Sequence, residues 1–125
     1  MKAEAGKWME KAESDLVHAE FSLKSKHYDW SALASQQAAE KALKAVCIGK
    51  GKGLLRVHEL TMLARKVGAP KEVIEKCGLL NPFYTAARYP DAEDIADKEA
   101  QEAAARDAFE SAGEVIEWCR KQTRT

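Results

Sequence analysis

Gln36-Gln37-Ala38-Ala39-Glu40-Lys41-Ala42-Leu43-Lys44-Ala45 is the stretch on which the fold turns. On a helical wheel advancing about 100° per residue, Leu33, Gln36, Gln37, Glu40, Lys41 and Lys44 fall within one arc of about 140°. Ala34, Ala38, Ala39, Ala42, Leu43, Ala45 and Val46 fill the remainder. A helix that is apolar around most of its circumference, with one narrow polar strip, belongs where a bundle core, a partner subunit and a polar pocket meet. Small residues on two sides predict close packing against more than one neighbour.

Working outward, the chain reads as nearly all helix. Strand-like alternation is absent, and Ala, Leu, Glu and Lys dominate. A first helix is predicted over Ala3–Lys24, with Trp8, Met9, Ala12, Leu16, Ala19 and Leu23 as its apolar stripe and Glu20–Lys24 as an outer i,i+4 pair. After a break at Ser25–Tyr28, the second helix carries the quoted stretch and ends at Gly49. A third is predicted over His58–Lys66, stopped by Val67-Gly68-Ala69-Pro70. A short fourth carries Val73, Ile74 and Cys77 and weakens at Gly78. Asn81-Pro82 reads as a restart, with Asn as N-cap and Pro at the first helical position. The last helix covers Asp94–Arg120, with Ala100, Ala104, Ala108, Val115 and Cys119 inward.

At 125 residues, with 46% hydrophobic and 32% charged residues, the chain fits one soluble domain spanning 1–125. Such a chain buries roughly two-thirds of its unfolded surface, enough for a core without staples. Twenty basic residues balance twenty acidic ones, which argues against a chain-wide grip on nucleic acid. Cys47, Cys77 and Cys119 are odd in number and form no CxxC pair, as expected of free thiols in a reducing cytoplasm, without a zinc site. The first residues hold no apolar signal-peptide core, and no run is long enough to span a membrane. No metal and no cofactor is expected, and the expected location is cytoplasmic.

Four features can carry chemistry. Gly49-Lys50-Gly51-Lys52-Gly53 invites a phosphate-loop reading, but it does not match G-x-x-x-x-G-K-[ST] and no strand precedes it, so it reads as a helix–helix connection. His58 stands two residues after Arg56, a pairing suited to phosphate or acid–base work; the competing reading is a cap on the third helix. Gln37, Lys41 and Lys44 share a face and can bind a phosphate; otherwise they form a solvated or dimer-facing strip with Glu40 and Lys44 paired. Tyr84, Arg88, Tyr89 and Asp91 form an aromatic and charged cluster, in which arginine holds a phosphate and the rings cover a base. The alternative for that cluster is a Pro90 turn in which Arg88 pairs with Asp91.

Taken in order, Gln36 to Ala45, then His58-Glu59-Leu60, then Tyr84 to Asp91 resemble the prokaryotic HEPN domain, and Trp8, Ala12, Asp15, Leu16 and Ala19 fit the same pattern. The similarity covers nearly the whole chain. It implies an all-α, up-and-down four-helix bundle with a short extra helix, usually a homodimer, associated with nucleotide or RNA. It also implies pairing with a minimal nucleotidyltransferase in toxin–antitoxin-like two-component systems. Ribonuclease members of that family carry an arginine followed by histidine after four to six residues. Here the corresponding windows hold Ser111, Ala112 and Gly113 after Arg106, and Glu93, Asp94 and Ile95 after Arg88.

The expectation is therefore a non-catalytic binding module using Gln37, Lys41, Lys44, His58, Tyr84, Arg88, Tyr89 and Asp91. Its rivals are a metal-independent endoribonuclease with a non-standard site and a purely structural partner subunit. Proximity of Lys41, His58 and Arg88 favours a ligand site; dispersal favours the structural subunit.

Overall fold

The computed structural model describes residues 3–86 and 97–123, with 85 and 86 described as backbone alone. Arg88, Tyr89 and Asp91 lie outside the described residues. The helices are α1 (Ala3–Lys24), α2 (Tyr28–Gly49), α3 (Leu60–Lys66), α4 (Lys71–Leu80), α5 (Phe83–Ala86) and α6 (Lys98–Thr123). There is no strand among the described residues, and the architecture is the expected all-α, up-and-down bundle. No described helix is long and apolar enough to cross a membrane.

Helix α2 is the axis of the molecule, since it touches α1, α3, α4, α5 and α6. Its alanines explain how. Ala38, Ala39, Ala42 and Ala45 are all fully buried, and side chains this short let several helix backbones close in at once. Leu43 and Val46 fill the larger gaps against Leu60, Leu63, Leu80, Val115 and Ile116. Cys47, Cys77 and Cys119 are free thiols buried in the same core, and burial pushes Cys77 up to about 12 and Cys119 higher still. Ala108, Val115 and Cys119 face inward as predicted, Ala104 is half-buried, and Ala100 is exposed.

Three helices end in the same way. The α1 terminus carries His27 N–H to Ser22 O at 2.8 Å and Lys26 N–H to Leu23 O at 3.1 Å, with Lys26 at φ 65°. The ends of α2 and α3 repeat the pattern with Gly51 at φ 76° and Gly68 at φ 74° in the left-handed position. The Gly49–Gly53 segment is thus a helix end and connection. Lys50 turns back to donate to Val67 O at 3.0 Å, tying it to the end of α3.

The start of α3 corrects two expectations. Glu59, not His58, is the N-cap: its carboxylate accepts from Thr61 N–H at 3.1 Å and Met62 N–H at 2.8 Å. Asn81 does not cap its own short helix. It is the C-cap of α4, and its side-chain oxygen accepts from Leu60 N–H at 2.8 Å while its amide donates to Glu59. Its side chain is occupied 21 residues back along the chain, so α5 begins beyond it at Phe83. Helix α4 runs through Gly78 to Leu80, because burying Cys77 and Leu80 outweighs the ~1 kcal/mol helix cost of one glycine.

Two outcomes are expected. Lys26→Gly relieves a left-handed L-residue and should raise stability by about 0.5–1 kcal/mol, seen as a higher thermal midpoint. For Glu59, burial pushes the carboxyl up, but hydrogen bonds from the Thr61 hydroxyl, the Met62 and Thr61 amides and Asn81 outweigh it and hold it below its ordinary 4.5. A depressed folded value means the cap stabilises above the unfolded value and fades as pH falls through the folded one. Denaturant titrations should therefore show Glu59→Ala costing about 0.5–2 kcal/mol at neutral pH, with the gap to wild type closing below pH ~4.

Candidate functional site

The polar strip of α2 lies mostly inside the protein. Gln36 is fully buried, and Glu40 and Lys44 are 5% and 6% exposed. These three lie at i, i+4 and i+8, so they stack along one line of the helix. A lone carboxylate at such a position costs several kcal/mol, and it survives only with donors around it. Glu40 has three. Lys44 Nζ donates to Oε2 at 2.8 Å, Gln36 Nε2 to Oε1 at 3.2 Å, and His58 Nδ1 stands 2.9 and 3.1 Å from the two oxygens. Gln37 extends the chain by donating to Gln36 Oε1 at 2.6 Å. Lys44 also lies over the ring of Trp8 from α1, 5.8 Å from its centroid.

One turn away, Lys41 Nζ meets Asp15 of α1 at 2.5 Å. The two lysine ammonium groups of the strip are therefore each committed to a carboxylate, and two positive charges balance two negative ones. The open part of the cluster is elsewhere. His58 arrives on the extended connection before α3 and has a side chain 51% exposed. Its ring stacks on Tyr84 of α5, with centroids 4.4 Å apart and planes 21° apart. An ionised carboxylate only accepts, so Nδ1 carries the hydrogen it shares with Glu40. Nε2 has no hydrogen-bond partner among the described residues.

Of the residues singled out in the sequence, Gln37, Lys44, His58 and Tyr84 come together around Glu40, and Lys41 lies beside them on the same helix face. Arg88, Tyr89 and Asp91 lie outside the described residues. Sequence reasoning took Glu40 only as a pairing partner for Lys44, whereas it is the hub. Gln36, Trp8 and Asp15 were likewise not counted as site residues. The signal was present in part: Gln36, Glu40 and Lys44 repeat at four-residue steps on a helix with apolar residues on its other sides.

Among the described residues, no group of three His, Cys, Asp or Glu side chains sits together to hold a metal. Among the described residues a surface groove lies between α4 and α6 and a smaller one lies where Leu23 and Phe109 meet; neither of these contains a residue of the Glu40 cluster.

A family model described as HEPN domain matches residues 5–122. The chain resembles the crystal structure of TT1696 from Thermus thermophilus, with 28% identity, a TM-score of 0.85, and 97% of this chain and 99% of that one covered. It resembles ST0689, described as an archaeal HEPN homologue, at 27% identity and a TM-score of 0.81, covering 99% and 100%. A HEPN domain protein, tm0613 from Thermotoga maritima, shares the fold at 24% identity and a TM-score of 0.75, covering 91% and 94%. No curated protein matches the chain.

The Glu40 hub has a thermodynamic signature. Glu40→Leu strands the Lys44 charge in the core and should cost about 3–5 kcal/mol in chemical denaturation. Adding Lys44→Met to it removes the stranded charge and should recover most of that loss.

Proposed function

The chain belongs to the HEPN domain family, and from that premise we propose that it is a non-catalytic binding module for a nucleotide or RNA. In this reading residues 1–125 act as one domain, form a homodimer, and work beside a minimal nucleotidyltransferase in a cytoplasmic, toxin–antitoxin-like pair. The observation that carries it is the half-exposed His58–Tyr84 stack anchored on buried Glu40. A ring pair fixed in place offers a π-face to a base with little ordering cost, and His58 Nε2 offers a polar contact beside it. Gln37, Lys41 and Lys44 back this face, and Arg88, Tyr89 and Asp91 follow Tyr84 closely in the chain, where an arginine suits a phosphate. The missing arginine–histidine spacing supports the non-catalytic part of the proposal.

One observation favours a second reading. A histidine oriented by a carboxylate through Nδ1 is also the arrangement of a general base, which suits an endoribonuclease with a non-standard site. A purely structural subunit has only the internal neutrality of the strip in its favour.

Calorimetry with a nucleotide panel and a short single-stranded RNA separates the three. Binding is expected, and Tyr84→Ala should weaken it by about 1–3 kcal/mol, the range for loss of one stacked base. A mixed RNA substrate should stay intact, and sedimentation should give twice the chain mass. RNA cleavage abolished by His58→Ala would replace the binding module with the enzyme. Absence of binding to every probe would leave the structural subunit.

A further inference from the structure

The groove between α4 and α6 is independent of the His58–Tyr84 face. Its volume is about 460 Å³, enough to receive a few side chains. Phe83, Ala104 and Ala108 supply apolar surface, and Leu79 at its edge is 60% exposed, one of the few large apolar side chains left in solvent. Along α6 the groove is walled by Asp107, Glu110 and Glu114 at i, i+3 and i+7. At 1.5 Å rise per residue this acidic ridge is roughly 10 Å long. Lys76 on the α4 side reaches Glu114 at 3.3 Å, but Asp107 and Glu110 have no ion-pair partner among the described residues. Like charges at this spacing repel one another along a helix, a repulsion that an incoming cation relieves.

A second observation points to a ligand. Ser111 lines the same groove, is 3% exposed, and its hydroxyl has no hydrogen-bond partner among the described residues. That hydroxyl opens onto the groove: the side-chain oxygen sealed from solvent without a partner among the described residues is Ser35 Oγ, and Ser111 Oγ is not such an atom. It is placed to bond a group that enters.

We infer that the groove is a docking site for a basic amphipathic helix of a partner protein. Apolar side chains of that helix cover Leu79 and enter between Phe83 and Ala108. Its Lys or Arg residues, repeating every three to four positions, meet Asp107 and Glu110, and a polar group reaches Ser111. Helix-in-groove recognition supplies the geometry, and charge complementarity selects the partner. The carboxylates repel nucleic acid, which sets this surface apart from a phosphate-binding one.

The test uses the full chain and two synthetic helical peptides of about 18 residues, long enough to hold helix on a surface. Both carry leucine at i, i+3, i+4 and i+7; one carries lysine at its other positions and the other glutamate. By fluorescence anisotropy the lysine peptide should bind and weaken with added salt, and the glutamate peptide should not bind. Asp107→Lys combined with Glu110→Lys, and separately Leu79→Asp, should each weaken the lysine peptide by roughly tenfold or more. Phe21→Asp, at an exposed site on α1, and His58→Ala should bind it as wild type does. The inference is overturned if the lysine peptide fails to bind, if the glutamate peptide binds as well, or if the groove variants behave as wild type. It is also overturned if Leu79→Asp converts a dimer to monomers, which assigns the groove to a second copy of the chain. Circular dichroism on each variant confirms that it is folded. Loss of nucleotide binding at the His58–Tyr84 face leaves this result unchanged, so the two readings fail separately.

Discussion

The structure is organised around a carboxylate held inside a helical bundle. Glu40 sits on a helix that every other described helix touches, and its two oxygens are served by Lys44, Gln36 and His58. Each donor comes at a cost in freedom. Lys44 is buried with its ammonium group fixed beside Trp8, Gln36 is fully buried, and His58 is drawn in from an otherwise extended connection. Such a network is weak evidence for stability, since an apolar substitute packs as well. What it supplies is definition: one rotamer for Lys44, one orientation for the His58 ring, and one register for the connection that carries it.

The sequence disclosed most of the fold because its helices are locally consistent. The limits of α1 and α2, the left-handed glycine after α3, and the inward faces of Ala108, Val115 and Cys119 all follow from periodicity and terminal residues. The errors lie where a side chain spends its hydrogen bonds far along the chain. Asn81 looks like a local cap because asparagine usually is one; nothing nearby reveals that Leu60 and Glu59 take it. His58 looks like a cap for the same reason, and it is Glu59 that fills the role.

The candidate site was legible as a set of positions but not as a circuit. The wheel placed Gln37, Lys41 and Lys44 on one face. It gave only a partial hint, the Gln36–Glu40–Lys44 repeat, that the same face turns into the bundle, where lysines meet Asp15 and Glu40 before they meet an anion. Burial reverses the meaning of charge here. On a surface the strip would be a loose cationic patch, whereas inside it is a neutral framework that presents the half-exposed ring of His58 with its stacking partner.

The clasp between Glu59 and Asn81 therefore has a reach beyond its own helix ends. His58 directly precedes one half of it, and Tyr84 follows the other half by three residues. Two segments distant in sequence are thus pinned side by side at the point from which both rings emerge. The aromatic face behaves like a caliper whose jaws are the rings and whose pivot is a carboxylate–amide bond outside the face itself. Its opening is set by a residue pair that no ligand on the rings needs to touch.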